Sequence, residues 1–113
     1  MRNALLIFLV IPWTITVSPA WMHAEDIPVL TTVDSAMGMR DDADVILEGH
    51  IIKVIRPEHF LFRDGTGEIE VEIDNEDSRG VTLTPAAKIR IIGEVDRELN
   101  SVTIDVDHVE AVK

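Results

Sequence analysis

Four acidic residues alternate along one short stretch: Glu68, Glu70, Glu72 and Asp74 are separated by Ile69, Val71 and Ile73. Successive side chains of an extended strand point to opposite sides, so the carboxylates share one face and the β-branched residues the other. Neighbouring carboxylates on that face stand about 6.6 Å apart, because a strand rises ~3.3 Å per residue. That spacing is too wide for one metal ion to bridge two neighbours without help from another strand, yet it suits a row of Lys or Arg side chains. A second alternating stretch sets Asp105 and Asp107 against Val102, Ile104 and Val106. If the two rows adjoin, they reinforce one another. Glu68, Glu70, Glu72, Asp74, Asp105 and Asp107 are therefore the candidate ligand-binding residues, for a cationic peptide or a divalent cation. The competing reading is a plain solvated face, since polar-out alternation is the default of antiparallel sheets.

Other constellations point away from chemistry. The run from Asp74 to Gly80 superficially resembles a calcium loop, but Arg79 stands where the EF-hand pattern needs glycine. His50, His59 and His108 have no paired ligand spacing and read as surface or turn residues. Met37 and Met39 read as core filler. Phe60 and Phe62 share one strand face and read as core, being the only aromatic residues after Ala24. There is no Cys or Tyr after Ala24, and Ser78 and Ser101 have no histidine beside them. The expectation is a binding protein rather than an enzyme, with no cofactor.

The elements that must hold the acidic rows follow from the apolar pattern. Thr32 can cap a short helix over 32–39, with Val33, Ala36 and Met37 on one face and Gly38 weakening its end. From Val45 onward short apolar stretches alternate with turn residues. Strands are expected over 45–55, 59–63, 68–74, 88–95 and 101–109. Residues 64–67 form a tight hairpin and the longest connection runs over 75–87. Gly49 interrupts the first strand, as a bulge or bend does where one strand serves two sheets. The fold class is therefore all-β, a five-stranded Greek-key barrel with a short N-terminal helix. An open sheet would leave unpaired edges in a small domain.

Residues 4–17 are apolar and uncharged after Arg2, a run of secretory-signal length that contains Pro12. The expected organisation is a signal peptide over 1–24, cleaved after Ala24 or alternatively after Ala20, a flexible leader over 25–31 and one domain over 32–113. The chain is then not membrane-spanning once the signal is removed. Removal takes away Arg2 and no acidic residue, so a net charge of -11 becomes -12. Such a surface repels phosphate backbones, which excludes nucleic acid as a partner, and attracts cations.

The series Leu47-Glu48-Gly49, Phe60 to Asp64, Thr66 to Ile69, Val71 to Asp74, Val81 to Pro85, Gly93 to Asp96 and Ile104 to Val106 resembles the bacterial OB-fold (BOF) family of NirD/YgiW/YdeI type. The resemblance covers roughly Val33 to Val112. It implies an OB-fold barrel in the periplasm, without established catalysis, linked to stress tolerance. One departure is Ser78 before Arg79 and Gly80, where members often carry tryptophan. The expected function is a periplasmic module that binds cationic peptides or divalent cations on its acidic β-face during envelope stress. The alternatives are recognition of an envelope glycan such as peptidoglycan, or docking onto another protein through a barrel edge.

Overall fold

The computed structural model describes residues 29–113. The expected signal peptide and residues 25–28 of the expected leader lie outside these residues. In chain order the elements are β1 (Leu30–Thr31), α1 (Val33–Met37), β2 (Asp44–Arg56), β3 (His59–Asp64), β4 (Gly67–Ile73), β5 (Ile89–Glu98) and β6 (Ser101–Ala111).

The long strand β2 is shared between two partners. Asp44 to Gly49 pair antiparallel with β5, and His50 to Arg56 pair antiparallel with β3. Gly49 is the point of exchange: a Cβ there would overlap the carbonyl oxygen of Arg63 and press on the Phe62 ring. The strand must come that close to turn the corner, so only glycine fits. β3 continues antiparallel to β4, β4 runs parallel to β6, and β6 returns antiparallel to β5. Pairing of β5 with β2 closes the ring in the order β2-β3-β4-β6-β5. This is the expected five-stranded barrel, and closure leaves no long edge on its β4–β6–β5 side. The expected leader does not foresee β1, in which Leu30 and Thr31 pair parallel with Ile46 and Leu47.

Alternation turns Val45, Leu47, Ile51, Phe62, Ile69, Val71, Ile73, Ile89, Ile91, Val95, Ile104 and Val106 into one core, with Phe60 and Met39 packed at its margin. One register shift repairs the pattern in β6. Gly93 faces Val106 while Ile92 faces His108, so Asp107 is an extra residue bulged out of the ladder. The bulge leaves Asp107 and His108 both exposed and returns Val109 to the core.

Helix α1 begins as expected, with the Thr32 hydroxyl accepting the Ser35 N–H at 3.2 Å. Val33 and Ala36 are buried, but Met37 is 46% exposed and does not fill the core. Five residues are too few for a third apolar position to wrap round to the barrel. The helix is fastened by the β3–β4 turn: Asp64 accepts the Val33 N–H at 2.8 Å, and the Thr66 hydroxyl accepts the Asp34 N–H at 3.0 Å. Behind it, Arg97 of β5 donates to the carbonyls of Met37 and Met39.

Candidate functional site

The barrel divides the acidic stripe of β4 into two halves. Because the β3–β4 hairpin places Arg63 opposite Glu68, the guanidinium Nε donates to Glu68 at 2.9 Å. Glu70 accepts from Arg56 at 3.1 Å and meets His59 Nδ1 at 2.9 Å. Glu72 has only the far nitrogen of His59, at 3.9 Å, and Asp74 has no ion-pair partner among the described residues. The first two acids are therefore largely spent on neighbours, while the last two keep their charge for solvent.

Beyond that half, the ladder registers bring carboxylates together from four strands. Glu72 on β4 faces Asp105 on β6, Asp105 faces Glu94 on β5, and Glu94 faces Asp44 on β2. Paired strands lie about 4.8 Å apart, so this row is tighter across the sheet than along any one strand. Asp107, the bulged residue, stands beside Glu94, and Asp42, Asp74 and Asp96 flank the row. No Lys, Arg or His among the described residues lies within ion-pair distance of Asp42, Asp44, Asp74, Glu94, Asp96, Asp105 or Asp107.

The electrostatic consequence is uneven titration. The charge of Asp107 pushes the Glu94 carboxyl above its usual range, helped by desolvation and by Asp44, Asp42 and Asp105. Asp105 is also raised, first by partial burial and then by Glu72, Asp107, Asp96 and Asp74. Arg90 of β5 is committed elsewhere: it bridges Glu48 at 2.6 Å and Glu110 at 2.7 Å on another part of the surface. Even so, no three His, Asp or Glu side chains among the described residues converge as a ready-made metal site. The belt is a concentration of negative charge and not a coordination cage.

Next to the paired half of the stripe lies a groove of about 590 Å³. Met37 of α1, Leu61 of β3, and Leu99 and Val102 of the β5–β6 hairpin give it apolar surface. Glu68, Glu70 and Glu98 border it.

The family model described as "Bacterial OB fold (BOF) protein" matches residues 15–111. The chain belongs to the BOF family. Among BOF relatives, the calcium-regulated OB-fold protein CarO of Pseudomonas aeruginosa is 38% identical over 100 residues, covering 88% of this chain and 86% of that protein. Protein YgiW of Escherichia coli K12 is 45% identical over 83 residues, which cover 74% of this chain and 64% of YgiW. A solved structure of E. coli YgiW superposes with a TM-score of 0.72 at 44% identity, over 74% of this chain and 90% of that one. The Stn1–Ten1 complex of Schizosaccharomyces pombe has a TM-score of 0.62 at 13% identity, over 79% of this chain and 80% of that one, and shares the OB fold alone with this BOF chain. In OB barrels the faces of the strands equivalent to β3 and β4, with the hairpin loops beside them, form the usual ligand surface. In this BOF barrel that surface carries the groove and runs on into the belt.

Of the six candidate residues, the geometry brings Glu72, Asp74, Asp105 and Asp107 together and sets Glu68 and Glu70 apart in ion pairs. Sequence reasoning misses Glu94 and Asp44, which complete the row. Their only local signal is outward parity in strands whose other positions are apolar. Knowing that they meet requires the register of the β5–β6 hairpin and that of β2 with β5, two strands distant in sequence. Among the described residues the aromatic side chains are Phe60 and Phe62; Phe62 is buried and Phe60 packs against the core, so neither is free on the outer face to stack a sugar or a base.

Proposed function

We propose that this BOF chain is an exported, non-catalytic binding module of the bacterial envelope that holds cationic ligands on the belt formed by Asp44, Glu72, Glu94, Asp105 and Asp107, with Asp74 at its margin. One observation supports the reading: four carboxylates stand side by side on four neighbouring strands, Asp44, Glu94 and Asp105 without a basic partner among the described residues and Glu72 with only the far nitrogen of His59 at 3.9 Å, and Glu94 and Asp105 resist ionisation in consequence. Holding like charges so close is unfavourable in the free protein, and a bound cation relieves it. Hydrated divalent ions and the side chains of Lys or Arg both meet that need. A relative whose name describes it as calcium-regulated supports the cationic direction. Periplasmic location and a part in envelope stress tolerance belong to the same reading. They rest on the signal-like segment 1–24 and on the resemblance to the YgiW type.

Amide chemical-shift titration of the purified protein with Ca²⁺, and separately with an oligolysine, tests it. The largest shifts are expected at Glu72, Glu94, Asp105 and Asp107, and affinity is expected to fall steeply above ~0.1 M salt, where the Debye length drops below about 10 Å. For Ca²⁺ a dissociation constant on the order of 1 mM suits a site without a preformed cage. Shifts absent from the belt, or indifferent to salt, reject the reading.

A further inference from the structure

We propose that the groove under the β5–β6 hairpin is an apolar subsite of this surface, and that its ligand class is an amphipathic cationic peptide in extended form, with a bulky apolar side chain flanked by Lys or Arg. This rests on the belt as a cation-binding surface and adds what chooses among cations.

The belt alone discriminates poorly. It has no coordination cage among the described residues, so any mobile positive charge satisfies it. The groove supplies a different chemistry. Leu99 sits at the tip of the two-residue turn between Glu98 and Ser101 and is 96% exposed. It contributes nothing to the core. Met37, also exposed, lines the same concavity from α1, with Leu61 and Val102. Single exposed apolar residues are ordinary, but several lining one groove mark a contact surface.

Charge settles which partner fits. Glu70 and Thr103 are ladder partners beside the groove, and Glu72 and Asp105 are the next outward pair along the same two strands. That step of two residues is about 6.6 Å, which is also the distance between alternate side chains of an extended peptide. A peptide laid along β4 and β6 with one apolar side chain in the groove thus brings the side chain two positions on over Glu72 and Asp105. Glu68 and Glu70 are already paired with Arg63, Arg56 and His59, and Arg97 on the same wall adds a positive charge. Glu98 is the one bordering acid without an ion-pair partner among the described residues, so the groove offers a bare ion less than the belt does. A Ca²⁺ ion gains nothing from Leu99 or Leu61, and an acidic or nucleic-acid ligand is repelled at the belt.

Two peptides of equal charge test this against the full chain by fluorescence anisotropy: one of alternating Lys and Ser, and one in which a single central Ser is Leu. The leucine peptide is expected to bind about tenfold tighter, from partial burial of one side chain. Leu99→Ser is expected to erase that difference while leaving the Lys/Ser peptide unchanged, and because Leu99 is outside the core the variant keeps its fold. Met37→Ser gives the same outcome from the opposite wall. Glu94→Gln with Asp105→Asn is expected to weaken both peptides. Equal affinity of the two peptides, or a difference that survives both Leu99→Ser and Met37→Ser, overturns the subsite and leaves the cation reading standing. Failure of either peptide to bind at low salt removes both.

Discussion

The carboxylate of Asp64 reaches back 31 residues along the chain to accept the Val33 backbone N–H at 2.8 Å. Its other oxygen accepts the Thr66 N–H and the Thr66 hydroxyl, both at 2.7 Å, and the Gly67 N–H at 3.2 Å. One side chain thereby shapes the β3–β4 turn and ties the start of α1 to it. That matters for the candidate site because this turn sets the register that pairs Arg63 with Glu68 and leaves Glu72 with only the far nitrogen of His59. Partial burial works to raise the Asp64 pKa, but hydrogen bonds from the Thr66 hydroxyl and from the Val33, Thr66 and Gly67 N–H groups outweigh it and hold the carboxyl below its usual range.

Asp64→Ala is expected to cost about 2 kcal/mol in urea unfolding at neutral pH, the scale of hydrogen bonds to a charged acceptor. The pH dependence has a definite sign. A depressed folded-state pKa stabilises the protein above the ordinary carboxylate pKa and loses that contribution as pH falls through the depressed value. The gap between wild type and Asp64→Asn is therefore expected to narrow on acidification. A gap that stays constant or widens toward low pH contradicts this account.

Barrel closure makes a sharper demand at Gly93. A Cβ there would overlap the carbonyl oxygen of Asp105 and crowd the backbone of Val106. Neither is a flexible side-chain end, so the strand pair must separate. Gly93→Ala is expected to destabilise by about 3 kcal/mol, at the upper end for overpacking. Gly65→Ala is the control, because a Cβ at that turn meets nothing within 4 Å. Thermal unfolding of the two variants is expected to show a large drop for the first and almost none for the second.

Much of this barrel is legible locally and the belt is not. The alternation of Glu68 to Asp74 fixes which residues face inward because a strand period of two leaves one choice, and Gly49 marks the corner because a bend needs a residue without Cβ. The ion pairs of Glu68 and Glu70 are partly legible too: a two-residue turn at Gly65-Thr66 sets Arg63 opposite Glu68 and Leu61 opposite Glu70. Asp44 and Glu94 are different. The β5–β6 hairpin sets Glu94 opposite Asp105 before the bulge is reached, but bringing Asp44 to Glu94 depends on the β2–β5 register, between strands some fifty residues apart. Met37 misleads because helical spacing puts it beside Val33 and Ala36, while a single turn of helix buries only two of the three.

Arg97 holds the groove wall in place. Its guanidinium donates to the carbonyls of Met37 and Met39, and its own N–H donates to Asp41 at 2.8 Å. Replacing it with Met keeps the stem and removes the donors to the end of α1. Arg97→Met is expected to cost about 1 kcal/mol. Hydrogen exchange is expected to accelerate at Gly38 and Met39 while the barrel amides keep their protection. Uniform acceleration across β4 and β6 would show instead that Arg97 supports the barrel as a whole.

The belt itself predicts a stability gain when charge is removed. Asp107 and its neighbours raise Glu94, and burial together with Glu72 and Asp107 raises Asp105, so both carboxylates ionise less readily folded than unfolded. A raised carboxyl pKa opposes folding once the pH exceeds the unfolded value, and the opposition is complete above the folded one. Glu94→Gln and Asp105→Asn are therefore each expected to raise the Tm at pH 7. The gain is expected to fade as pH falls below the ordinary carboxylate range, where the wild-type groups are neutral as well. Millimolar Ca²⁺ is expected to raise the wild-type Tm at pH 7 and to do so less in either variant, because ion and substitution relieve the same repulsion. Substitutions that lower the Tm at pH 7, or a calcium effect of equal size in all three proteins, would mean that these carboxylates do not repel one another in solution as their registers require.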